Sequence, residues 1–134
     1  MNLKTVSQLI QSNTAEIQRL LVELKTVSPD VPVLDNYTDD DFSIYLIKNG
    51  IKPTDSDYTT YLDHLIQQYK KRQEYLTSRD YYITLNKILN NLIEFYMDNL
   101  REPTEDELET LAEGTGIQEN IDKSILYIQE NILA

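Results

Sequence analysis

The chain contains no cysteine, no tryptophan and only one histidine. Disulfides, thiolate metal sites and cysteine nucleophiles are therefore excluded. One histidine also leaves no ligand pair for a zincin-type motif. Apolar runs are short: none exceeds four residues, as at 44–47. A transmembrane helix or the core of a secretory signal needs a longer run. Glycine and proline are scarce, with three and four copies. Basic residues are few as well. Twelve lysines and arginines face 23 aspartates and glutamates, for a net charge of −11.

That acidity is spread over the chain. Residues 1–67 carry 5 basic and 10 acidic groups, and residues 68–134 carry 7 and 13. Neither half offers the clustered cations that release counterions from nucleic acid. The field repels DNA, RNA and anionic membrane and favours a basic partner.

The 134 residues suit a single domain large enough to bury a core. Between the few prolines and glycines, apolar residues recur three and four apart, the mark of amphipathic helices. The spacing predicts helices over about 3–27, 38–49, 55–77, 79–101, 104–113 and 118–133, forming an all-α, single-domain helical bundle. The first stripe falters at Asn13, where Asn13-Thr14-Ala15-Glu16 also reads as a capping box; a kink or two abutting helices is expected there. Residues 28–37 show no period and read as a loop. Thr38 and Thr104 are expected N-caps, and Gly50 a left-handed C′ residue after which Ile51 can pack back on the preceding turn. The segment 79–101 is the most apolar and is expected at the centre of the bundle. Ser78 offers a cap ahead of it, although 55–101 can also run as one helix. No strand pattern, internal repeat or low-complexity tract is present.

No constellation points to catalysis, a cofactor or a metal. Asp39, Asp40 and Asp41 lack the ligand spacing, glycine and terminal glutamate of a calcium loop, and are expected to favour the positive end of a helix. His64, beside Asp63, has no nucleophile at a recognisable spacing and is expected at the boundary of a buried stripe. Gly114-Thr115-Gly116 precedes a helix but lacks the lysine and the preceding strand of a phosphate loop, and reads as a turn.

Two surfaces stand out. Residues 102–122 hold eight acidic and no basic residues. Glu102, Glu105, Asp106, Glu107, Glu109 and Glu113 are the expected contact residues for a basic protein surface. A secondary basic-aromatic patch comprises Tyr69, Lys70, Lys71, Arg72 and Tyr75. The expected reading is a bundle seam ending in a solvated charged patch; basic plus aromatic side chains can also stack single-stranded nucleic acid, or form the rim for an acidic protein. Ten tyrosines suit half-buried contact surfaces, where the ring packs and the hydroxyl stays wet.

Residues 85–117 also resemble part of bacterial sigma factors. The carriers are Asn86-Lys87, then Arg101-Glu102-Pro103-Thr104, Glu107-Leu108 and Gly116-Ile117. They are similar to the third conserved region, although the spacing between Leu108 and Gly116 is longer than the family's pattern. The family's aromatic, basic promoter-melting helix is not visible upstream. The resemblance implies a small three-helix unit that helps hold RNA polymerase and promoter.

The functional expectation is a non-enzymatic, acidic protein-interaction module with a basic protein partner and no direct contact with nucleic acid or membrane. A composition rich in asparagine, isoleucine and tyrosine suits an AT-rich bacterial or bacteriophage genome. A bacteriophage assembly or connector protein, acting as a homo-oligomer or within a larger assembly with both chain ends tied down, is one form of it. A transcription regulator binding RNA polymerase, or another basic nucleic-acid-binding protein, is the alternative. The expected location is the cytoplasm, or the virion for a structural protein.

Overall fold

A computed structural model describes residues 1–27 and 38–134, apart from the side chain of Asp39. The expected loop over 28–37 lies outside the described residues. Those residues are all-helical, with no strand: α1 (Leu3–Leu24), α2 (Asp39–Lys48), α3 (Tyr58–Asn99), α4 (Glu105–Ala112) and α5 (Gln118–Asn131). No described helix is long and apolar enough to cross a membrane. The chain gathers into two compact units, the larger formed by 1–22 and 76–134, the smaller by 23–75.

The expected break at Ser78 does not occur, and α3 runs unbroken through it. The reason is local. Neither proline nor glycine lies within 58–99, so the i→i−4 ladder has no cause to stop. A serine in mid-helix is merely neutral there, since a cap needs a chain that has already left helical geometry.

In the smaller unit, Val27, Phe42, Leu46 and Leu65 form the core. Helix α2 is closed at both ends as its residues foretell. Thr38 and Asp41 exchange reciprocal bonds, with the Asp41 amide donating to Thr38 Oγ1 at 3.4 Å and the Thr38 amide donating to Asp41 Oδ2 at 2.8 Å. At the other end Gly50 takes φ 82°. The Gly50 amide reaches the Ile47 carbonyl at 3.1 Å and the Ile51 amide the Leu46 carbonyl at 3.0 Å. This is the Schellman pattern. Ile51 packs against the core cluster.

In the larger unit, Leu85, Ile88, Leu89 and Leu92 of α3 are buried with Val6 of α1, Leu108 and Ala112 of α4, and Ile121 and Ile128 of α5. The C-terminal half of α3 is thus central within its unit, as its apolar circumference requires. Leu100 ends α3 in a left-handed turn at φ 54°. Its side chain is 82 % exposed, and a Cβ in that region costs about 1 kcal/mol.

The stripe of α1 falters at Asn13 for a reason other than a kink. The helix is continuous there, and Asn13 is buried. Asn13 Nδ2 donates to Asn86 Oδ1 of α3 at 3.0 Å. Asn86 Nδ2 in turn lies 3.3 Å from both the Ile10 carbonyl and Thr14 Oγ1. A paired amide replaces an aliphatic contact and fixes the register of α1 on α3. Asn13→Leu strands one acceptor, and a loss of about 2 kcal/mol is expected. Asn13→Leu/Asn86→Leu should recover part of it, because both polar partners are then gone. Thermal melts of the three variants check this. Additive losses would refute the coupling.

Candidate docking surface

The acidic segment opens with residues engaged inside the fold. Glu107 is the third residue of α4, where Thr104 caps the helix. Its amide donates to Thr104 Oγ1 at 3.3 Å, and its Oε1 accepts from the Thr104 amide at 2.9 Å. Arg101 meets the same carboxylate through two nitrogens, at 2.8 and 2.9 Å, while its guanidinium lies 5.1 Å from the centre of the Phe95 ring. The Arg101 bonds first, then the cap bond, bring the Glu107 carboxyl down to about 2 from an ordinary 4.5.

The sign of the pH effect follows. A carboxyl held low in the folded state contributes stability above its ordinary value, and that contribution disappears as pH falls through the lowered one. Glu16, Asp41 and Glu102 are lowered as well. Stability is therefore expected to fall from about pH 4.5 toward about 2, and Glu107→Gln should flatten that fall without abolishing it. Melting temperature against pH for both proteins is the measurement. Superimposable acid limbs would refute the role of Glu107.

Glu102 is a tie between chain ends. Its Oε1 accepts from the amino group of Met1 at 2.6 Å, and its Oε2 from the Ala134 amide at 3.1 Å. Bonding to that ammonium lowers its carboxyl. The half-buried Glu102 and the ion-paired Glu107 therefore serve the fold first. The use of Glu102 was invisible in a run of like charges, because no sequence spacing marks Met1 as its partner; the capping use of Glu107 was marked by its place three residues after Thr104.

Glu105, Asp106, Glu109 and Glu113 are exposed. Glu109 and Glu113 border a groove of about 300 Å³ with Gln118, Ile121, Asp122 and Ile125. Three carboxylates surround the apolar surface of two isoleucines. Gln118 Nε2 donates to Asp122 Oδ1 at 2.7 Å, which steadies one of the three. Among the described residues no group of histidine, aspartate and glutamate side chains is arranged to hold a metal. Such a lining can take a long cation, with methylenes against isoleucine and the charged head among carboxylates.

The basic-aromatic patch does not assemble as a stacking platform. Tyr69 turns toward the small core and meets Phe42 edge-on, with centroids 5.2 Å apart. Tyr75 packs against the same cluster. Lys70 and Lys71 are exposed and Arg72 is half-buried. The helical angle between neighbours separates rings from ammonium groups, which a list of adjacent residues conceals. His64 is exposed rather than at the edge of the stripe. Asp39 begins α2 as the helix-start reading requires.

The Gly114-Thr115-Gly116 turn is a packing joint. Thr115 Oγ1 donates to the Ala112 carbonyl at 2.6 Å, and Thr84 Oγ1 of α3 donates to the Thr115 carbonyl at 3.2 Å. Sequence reading also passed over Asn120. It lies in the first turn of α5, where a polar residue draws no notice, yet it is only 4 % exposed. Comparison with protein-family models, curated proteins and solved structures finds no match for this chain.

Proposed function

We propose that this protein is a non-enzymatic docking module whose acidic α4–α5 surface receives lysine or arginine side chains of a protein partner. The observation that carries this reading is the groove lined by Glu109, Glu113 and Asp122 over Ile121 and Ile125. Its charge and its apolar floor match the two parts of a basic side chain. The net charge of −11 adds long-range attraction for such a partner and repels nucleic acid. Assembly within a bacteriophage particle accords with a composition rich in asparagine, isoleucine and tyrosine.

The test uses a labelled, short arginine-rich peptide. Binding should be saturable and should weaken with added salt. Replacing Glu105, Asp106, Glu109 and Glu113 by lysine should leave the melting curve near that of the parent and reduce affinity at least tenfold, since like charges then face each other. Unchanged affinity would remove the surface from consideration. Recovery of virion proteins from an infected-cell lysate would favour the assembly role.

The second reading is a regulator that binds RNA polymerase. It rests on residues 85–117, where the sigma-factor-like stretch forms the end of α3, the capped α4 and the glycine turn before α5. Recovery of polymerase subunits from a bacterial lysate would favour it.

A further inference from the structure

An asparagine followed by glycine is open to ring closure through the main chain, because no Cβ shields the glycine nitrogen. Among the asparagines of this chain only Asn49 precedes a glycine. It is the C-cap of α2, and Asn49 and Gly50 are both exposed, so water reaches the junction. The chemistry needs no catalyst. The Gly50 nitrogen attacks Asn49 Cγ, its proton passes through solvent to Nδ2, and Nδ2 leaves as ammonia. Water then opens one of the two carbon–nitrogen bonds of the resulting succinimide. One opening gives aspartate. The other gives isoaspartate, in which the main chain runs through the former side chain.

The closed end of α2 opposes each part of that reaction. A flat five-membered ring needs the Gly50 nitrogen to eclipse Asn49 Cβ. At ψ 16° it lies instead near the nitrogen of Asn49 itself. The leaving group is held as well, since Asn49 Nδ2 donates to the Tyr45 carbonyl at 2.7 Å. The attacking group is engaged too: the Gly50 amide donates to the Ile47 carbonyl at 3.1 Å, and the next amide, of Ile51, donates to Leu46 at 3.0 Å. These three bonds break together when the last turn opens, and helix ends open more readily than cores.

We propose that Asn49 is a site of spontaneous deamidation, released by each opening of the end of α2 and locked against reversal by its own product. Both products place a carboxylate at the negative end of the helix, where it is disfavoured. A carboxylate cannot donate to the Tyr45 carbonyl as the amide does. Isoaspartate also adds a methylene to the main chain ahead of Gly50, the residue whose left-handed geometry closes the helix. The cap therefore closes less well after each conversion, and Ile51, which packs on the small core behind it, is held less firmly. The modification records how long and how often this part of the smaller unit has been open.

The test is incubation of the full chain at neutral pH for several days, with and without urea, followed by mass spectrometry of peptides spanning 49–50. Isoaspartyl methyltransferase labels the rearranged product. Conversion at Asn49 should precede that of every other asparagine in urea, and should be slower without urea by at least about tenfold, as expected when two or three hydrogen bonds must open first. Asn49→Gln keeps the amide but would need a six-membered ring, and should show negligible conversion at 49. Asn49→Asp should speed hydrogen exchange of the Gly50 and Ile51 amides about tenfold. No conversion at Asn49 in urea overturns the site. Equal rates with and without urea overturn the protection by the cap. Unchanged exchange in Asn49→Asp overturns the one-way character of the product.

Discussion

Leu92→Asp is expected to abolish folding of the larger unit. Leu92 is 0 % exposed and is surrounded by Leu85, Ile88, Leu89, Leu108 and Ile128 in one cluster. A carboxylate there finds no cation within the core. It either remains charged at a cost of several kcal/mol or takes up a proton and still lacks hydrogen-bond partners. The lost apolar burial adds about 2 kcal/mol. Domains of this size are stable by only about 5–15 kcal/mol, so the combined loss consumes most or all of it. Circular dichroism should show a large drop in helicity and no cooperative melt. A melting curve close to that of the parent would refute the central position of this half of α3.

Gly116→Ala should destabilise the protein by about 3 kcal/mol, more than an ordinary glycine substitution in a turn. A Cβ at Gly116 would overlap Thr84 Oγ1 and also lie 3.2 Å from Thr84 Cβ and Cγ2. Thr84 is 1 % exposed and β-branched, so turning aside costs it rotamer preference and packing. The strain adds to the loss of the Thr84–Thr115 hydrogen bond, each term being about 1–2 kcal/mol. Gly116 does not have the positive φ found at Gly50 and Gly114; close approach, not backbone conformation, demands glycine. Gly116→Ala/Thr84→Ala should therefore regain stability relative to Gly116→Ala alone. Denaturant titrations of both variants check this. A double variant no more stable than the single would refute the steric account.

The helices were legible where local chemistry alone decides them. Thr38 and Thr104 cap as their neighbours Asp41 and Glu107 require, and Gly50 closes α2. The four core residues Leu85, Ile88, Leu89 and Leu92 follow from spacing. What failed were inferences decided by a distant partner, or by a helix that nothing local interrupts. Asn13 suggested a break, because its partner Asn86 lies 73 residues away. Ser78 suggested a start, because capping residues also occur within helices where nothing ends the ladder. Glu102 read as free charge, because only folding brings Met1 to it, and the Arg101 pairing of Glu107 adds to a capping role that spacing already marks. Tyr69 and Tyr75 could be read as companions of Lys70 and Lys71, but the seam reading agrees with the structure, with rings packed inward and ammonium groups outward. The burial of Asn120 gave no signal at all, because burial is a property of the assembled chain.

The division of the chain has a consequence for its history. The larger unit comprises 1–22 and 76–134, with 23–75 enclosed between. In genetic terms the smaller unit is nested inside the coding sequence of the larger. A change of length between residues 23 and 75 therefore leaves every residue of the larger unit's core untouched in sequence.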